Sequence, residues 1–169
     1  RIESKKKFIR EPKESNKVDE VLKTFQECID RNFDASFSSE NTNDKKVVLP
    51  QSQWKGAILS CVVGGKLSEG INFSDGYGRC VCMIGLPYPN AYDPVLIEKM
   101  KFMVKQTKNP KAGDEFYENL CMKAVNQSIG RSIRHRNDYA TILLFDQRFC
   151  QQKVINKLPQ WIGSHVTKA

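Results

Sequence analysis

Ala57-Ile-Leu-Ser-Cys-Val-Val63, followed at once by Gly64-Gly-Lys-Leu-Ser-Glu-Gly-Ile-Asn-Phe73, is the stretch whose reading decides the fold. Residues 57 to 63 form an apolar run of strand length that does not alternate with polar residues, the pattern of a parallel strand covered on both faces. In open α/β sheets ligands gather at the C-terminal ends of strands, and a glycine-rich turn there can present backbone N–H groups to phosphate. The turn is neither a Walker A sequence nor G-x-G-x-x-G, and Gly64-Gly65-Lys66 also reads as a plain tight connection between two elements.

Downstream the same alternation continues. Arg79 to Gly85 is a second buried strand, stopped by Pro87 and Pro89. Asp93-Pro94 supplies an N-cap followed by proline at the first helical position, opening a helix towards Asn109-Pro110. Met100, Phe102, Met103 and Val104 on that helix read as core. A further helix from Asp114 packs through Tyr117, Leu120, Cys121, Ala124 and Val125. Ala140 to Phe145 is a third apolar strand, closed by Asp146-Gln-Arg148, where Asp146 and Arg148 read as an ion pair or cap. The last helix carries Leu158, Trp161 and Ile162. Strands alternating with helices predict an α/β fold with a largely parallel sheet and helices on both faces.

If Asp114 to Arg134 is one helix, Gln127, Arg131 and Arg134 stand at i, i+4 and i+7, and an amide and two guanidiniums share a face. Arginine suits an anion site because its planar fork bonds phosphate bidentately and stays charged. Gly130 costs a helix about 1 kcal/mol relative to alanine and allows close approach of a ligand or a second backbone. The alternative is a solvated basic helix end, which the helix dipole also favours.

Upstream, Phe8 and Ile9 read as a short strand ended by Pro12. From Asn16, a fair N-cap, Val18, Val21, Leu22, Phe25, Cys28 and Ile29 recur with helical period. Asp34 to Lys46 is rich in Ser, Asn, Asp and Lys and reads as a mobile surface loop, because it has too little apolar surface to offset its ordering entropy. The opening Arg1-Ile-Glu-Ser-Lys-Lys-Lys7 reads as a cut inside a longer protein.

The 169 residues fit one domain, residues 1–169, large enough for a real core. A hydrophobic content of 40% argues against disorder, and a net charge of +8 makes a polyanion partner plausible. The six cysteines lack metal-site spacing and read as reduced core or near-core thiols, so no metal ligation is expected. Nothing resembles a signal peptide or a membrane span, no membrane partner is expected, and the sequons at Asn72 and Asn126 fall inside the motifs assigned to chemistry.

Taken together, Gly64 to Phe73 and Gln127 to Arg134 resemble motifs V and VI of superfamily 2 helicases, in the right order. The longer strings Ser68-Glu-Gly-Ile-Asn-Phe-Ser-Asp75, Gly78-Arg79, Gly85-Leu-Pro-Tyr-Pro-Asn90 and Asn126-Gln-Ser-Ile-Gly-Arg-Ser-Ile-Arg-His135 are similar to the XPD-type, iron-sulfur DNA helicases. Glu118-Asn-Leu-Cys-Met-Lys-Ala-Val-Asn-Gln127 and Leu158-Pro-Gln-Trp-Ile162 resemble most the sister-chromatid-cohesion, chromosome-loss branch, which carries Asn where Asn72 stands and most XPD-type sequences carry Asp.

The resemblance implies a three-layer RecA-like helicase C-terminal domain, lacking its first strand, with about four strands. It implies ATP and Mg²⁺ bound between this domain and a missing N-terminal RecA-like domain in cis, which would also hold the 4Fe-4S cluster. Arg131 and Arg134 would be arginine fingers with Gln127 beside them. Glu69, Gly70, Asn72 and Gly130 would lie on the nucleotide, and Gly64, Gly65 and Lys66 on DNA phosphates. It further implies a nuclear, 5′ to 3′ helicase acting on single-stranded or forked DNA in replication, repair and cohesion, with replication and cohesion proteins as partners, and no activity in this piece alone. A non-catalytic nucleic-acid-binding or scaffold α/β domain is the rival reading. A different NTPase would need its own phosphate loop, and none is found. His135 reads as a surface residue and Tyr88 as a packed loop aromatic.

Overall fold

The computed structural model describes residues 5–37, 54–71, 73, 75–133 and 135–167. They fall into two compact units, Arg1–Ile71 and Asn72–Ala169.

In the first unit, β1 (Lys7–Arg10) pairs in parallel with β2 (Ala57–Ser60), with Ile9 opposite Leu59 and Arg10 opposite Ser60. The ladder continues one step at each end, where Lys7 N–H donates to the Gly56 carbonyl and Glu11 N–H to that of Ser60. Between the strands runs α1 (Val18–Phe37), entered through a 3-10 turn at Ser15–Lys17 and packed on both strands. Parallel neighbours require such a crossover. Ile9, Phe25 and Leu67 form the buried apolar centre of the unit. The expected loop begins later than the composition predicts: residues 34 to 37 still belong to α1. The rest of that prediction lies outside the described residues. After β2 comes the short α2 (Lys66–Gly70).

The second unit pairs β3 (Cys80–Ile84) in parallel with β4 (Thr141–Phe145), Cys80 opposite Thr141 and Ile84 opposite Phe145. Its crossover is a helix pair, α3 (Pro94–Thr107) and α4 (Ala112–Ile129). Pro94 takes the first helical position, and the Asp93 carboxylate accepts from the amides of Val95 and Leu96 at 2.8 and 3.2 Å. Lys108, in the left-handed conformation, ends α3. Gly113 then lets the helices meet closely, since a Cβ there would stand 3.3 Å from the Met100 carbonyl. Cys121, Met122, Val125 and Ile129 bury the inner face of α4.

The last expected helix is two short ones, α5 (Gln152–Ile155) and α6 (Gln160–Gly163), separated at Pro159, with Val154, Leu158 and Ile162 buried.

The four described strands, all in parallel pairs, match the α/β expectation, but they form two ladders, β1–β2 and β3–β4. Cover of the first and second apolar runs is corrected, and with it the expectation of helices on both faces: Cys61 and Val62, just beyond β2, are exposed, Val62 by 72%. Met83 is buried, yet Cys80, Cys82, Ile84, Leu143 and Phe145 are exposed, Ile84 by 84%. A continuous apolar run states that both faces are apolar and leaves open what lies against each. The core or near-core assignment of the thiols fails for Cys61, Cys80, Cys82 and Cys150, which are exposed, and holds for the buried Cys121 and the half-buried Cys28. Phe102 is also exposed, while Met100, Met103 and Val104 are half-buried.

Candidate functional site

The turn after β2 is built around a carboxylate. Glu11 follows β1 directly, so its side chain leaves at the C-terminal end of the ladder, where Val62 to Leu67 turns. Its Oε2 accepts from the Val62 amide at 2.9 Å and its Oε1 from the Leu67 amide at 3.0 Å. The Gly65 amide donates to the Val62 carbonyl at 2.9 Å, and the Gly65 carbonyl accepts from the Ser68 hydroxyl at 2.8 Å. The two glycines serve different needs. Gly64 has φ +82°, a conformation that glycine adopts without strain, whereas a Cβ on Gly65 would lie 2.5 Å from both Glu11 oxygens. Leu67 is fully buried and Lys66 is exposed. Desolvation, and after it the Glu11 carboxylate, push the Cys61 thiol up.

The Glu69 and Gly70 backbone belongs to α2, and the Glu69 side chain, Asn72 and Arg134 lie outside the described residues.

The single helical face expected for Gln127, Arg131 and Arg134 is corrected: α4 ends at Ile129, with Gly130 as its cap. Beyond it the bonds tighten to i→i+3, Arg131 N–H donating to Ser128 and Ser132 N–H to Ile129, each at 3.3 Å. The fully buried Ser132 also gives its hydroxyl to the Ile129 carbonyl at 3.0 Å, the competition with helix that serine favours. The Arg131 carbonyl, which a longer helix would use internally, instead accepts from the Phe73 amide at 3.3 Å. Gln127 therefore stays on the last helical turn, exposed, beside a shallow depression of about 530 Å³ shared with Lys123, Asn126 and Lys157. Arg131 leaves from the turn, half-buried, with no ion-pair partner among the described residues.

Further stitches hold the chain on either side of Arg134. The His135 ring lies 3.2 Å from an Asp75 carboxylate oxygen, both groups exposed. The Asp138 carboxylate is completely buried, and one oxygen accepts from Arg79 at 2.7 Å and from the Tyr139 amide at 2.9 Å. The Arg79 guanidinium also donates to the Tyr139 carbonyl at 2.8 Å and lies 4.0 Å over the Tyr139 ring. Asp75, His135 and Asp138 gather like metal ligands, but Asp138 is already committed to a guanidinium, which repels a cation. This trio does not fit Mg²⁺. Among the described residues no other three His, Cys, Asp or Glu side chains gather, so the cysteines do not fit a 4Fe-4S cluster either.

After β4 the expected Asp146–Arg148 pair forms. Asp146 accepts from the Arg148 amide at 2.9 Å and takes the guanidinium on both oxygens at 2.9 and 2.7 Å. The side-chain and then the backbone hydrogen bonds from Arg148 lower the Asp146 carboxyl to about 2. Tyr88 is packed in its loop, 5.0 Å from the Tyr117 ring, with Arg148 5.6 Å over its own. His135 is a surface residue, as expected.

The sequence reading missed Glu11, Arg79 and Asp138 as structural anchors. The available signal was position: each flanks an end of a strand, where parallel neighbours bring loops side by side.

The helicase C-terminal domain family matches residues 1–165. The chain is 47% identical over 169 residues to the ATP-dependent DNA helicase DDX11 of Danio rerio, covering 97% of this chain and 17% of that protein. It is 44% identical over 174 residues to the ATP-dependent DNA helicase CHL1 of Candida albicans, covering 98% and 18%. It is 58% identical over 109 residues to the ATP-dependent DNA helicase chl-1 of Caenorhabditis elegans, covering 64% and 13%. The chain thus spans less than a fifth of the length of the curated relatives it matches.

Proposed function

Because this chain belongs to the helicase C-terminal domain family, we propose that it is the second RecA-like half of a nuclear, XPD-type ATP-dependent DNA helicase of the cohesion branch, working 5′ to 3′ in replication, repair and chromosome cohesion. The observation that carries this reading is the match over residues 1–165, with relatives that are named ATP-dependent DNA helicases over nearly the whole chain.

In this reading the nucleotide is held mostly by the N-terminal RecA-like half, which also supplies the Mg²⁺ ligands and the 4Fe-4S cluster. Arg131 and Arg134 approach the γ-phosphate, where charge spreads over the transferred oxygens in the transition state. Guanidiniums at that point are worth roughly 10³ to 10⁵ in rate. The Arg131 geometry supports the role: its main chain is tied to Phe73 and Ser128 while its guanidinium is left without a partner among the described residues. Gln127 orients beside the fingers, Gly130 keeps the approach clear of a side chain, and Glu69, Gly70 and Asn72 line the nucleotide.

Lys66, with the Gly64-Gly65 turn, meets the phosphates of single-stranded or forked DNA, contacts that position the strand without reading its bases. Nucleotide-driven closing and opening shift the arginines relative to the DNA contacts and so produce stepping. Replication and cohesion proteins are the expected partners.

The test uses the full-length protein. Arg134→Lys keeps the charge and loses the planar fork, so DNA-stimulated ATP hydrolysis should fall by about 10³ or more while DNA affinity stays near wild type. Unaltered turnover removes the finger assignment.

A further inference from the structure

We propose that Glu11 is a positioning residue for DNA contact: its carboxylate is the internal anion around which Val62 to Leu67 folds, and it fixes the direction in which Lys66 meets a nucleic-acid phosphate. The inference rests on the DNA reading of this turn given above.

Two amides separated by five positions in the chain, Val62 and Leu67, point at one carboxylate, at 2.9 and 3.0 Å. Bonds from neutral donors to an ionised acceptor are stronger than neutral pairs, so one side chain closes the whole turn. The backbone of Glu11 is itself anchored, its amide donating to the Ser60 carbonyl at 2.8 Å as the next rung of the β1–β2 ladder. The carboxylate thus extends from a residue whose main chain the ladder holds. Gly65 supplies independent support: its Cα stands so near Glu11 that a Cβ would lie 2.5 Å from either oxygen. The missing side chain at Gly65 is the space that the carboxylate uses.

A consequence follows for recognition. Glycine-rich turns after a strand often give their amides to phosphate. Here the Val62 and Leu67 amides already hold an anion, and the Gly65 amide is spent on the Val62 carbonyl. The charged group this turn offers a phosphate is the exposed Lys66 ammonium, whose base lies between Gly65 and Leu67, the two positions that Glu11 constrains.

The experiment titrates ATP hydrolysis by the full-length protein with single-stranded oligo-dT, and follows amide hydrogen exchange over residues 61–68. Glu11→Gln keeps the side-chain length but sets an NH₂ against one of the two N–H donors. The DNA concentration for half-activation should rise about fivefold, the scale of one lost hydrogen bond, with kcat at saturating DNA near wild type and faster exchange over 61–68. Glu11→Asp retains the charge but is too short to span both amides, and should shift half-activation in the same direction. A merely structural role would lower kcat and the active fraction and leave half-activation in place, which overturns the inference. Lys66→Ala separates the two readings: it should weaken oligo-dT binding and reduce the salt slope by about one contact. If Lys66→Ala acts as expected and both Glu11 variants leave half-activation unchanged, the positioning role fails while the DNA reading stands. If Lys66→Ala has no effect, the DNA reading of the turn fails and the inference falls with it.

Discussion

The turn after β2 and the segment after α4, the two stretches that resemble helicase motifs, are held in different ways. From Val62 to Leu67 the chain closes on a single carboxylate that accepts two amides. From Arg131 to Tyr139 the chain is fixed at several points, through Phe73, Asp75 and Arg79, and among the described side chains that make these cross-chain contacts Asp138 is the fully buried one. A turn with one anchor should respond sharply to one substitution. A stitched segment should tolerate loss of an exposed stitch and fail at the buried one.

Asp138→Ala is the strongest attack on that contrast. Removing one partner of a buried pair leaves the other charge unmatched, which costs about 3 to 5 kcal/mol when both are buried. Arg79 keeps 35% exposure and its bond to the Tyr139 carbonyl, so urea unfolding of the second unit should lose about 2 to 3 kcal/mol. His135→Ala, which removes an exposed contact, should stay within about 0.5 kcal/mol. Equal losses in the two variants would show that burial does not rank the stitches.

Asp93→Ala gives a local reference for the same measurement. It removes an N-cap that serves two amides at the start of α3, and should cost about 1 kcal/mol. A loss as large as that of Asp138→Ala would mean that a single exposed cap holds the unit as firmly as the buried pair.

The smallest expected effect concerns acid. Asp146 has its folded pKa depressed to about 2 by Arg148. A carboxyl lowered on folding adds stability above its unfolded pKa of about 3.9, and that contribution is lost as pH falls through the folded value. Acid titration should therefore show part of the stability disappearing between about pH 4 and about pH 2, and Asp146→Asn should flatten that part of the curve. The Asp146 carboxyl ¹³C shift gives the midpoint directly, and a midpoint near the ordinary aspartate value would deny the pairing with Arg148.

Features set by neighbours in the chain could be read before the structure was seen. The Asp93-Pro94 helix start needs only amides two and three residues on, and the Asp146–Arg148 fork spans two residues. Strand identity along 57–60, 80–84 and 141–145 followed from apolar runs of the right length. The end of α4 could not be read in this way. Extending the arginine face through Arg134 assumed that an i, i+4, i+7 pattern continues as helix, whereas Phe73 takes the Arg131 carbonyl from far along the chain. Exposure of Ile84 and Phe145 was hidden for a related reason, since an apolar residue does not report what lies against it.

Sequence alone determined the α/β class, the strands and the long helices, the Asp93 cap, the Asp146–Arg148 pair and, through long motif strings, the helicase family. Tertiary structure decided where α4 stops, which faces of β3 and β4 are covered, and that Glu11 fills the turn before Lys66. The difference is one of range: propensity and capping act within a few residues and are written in the local string. A carboxylate that meets amides 51 and 56 residues away is placed only when a parallel ladder brings two strand ends together.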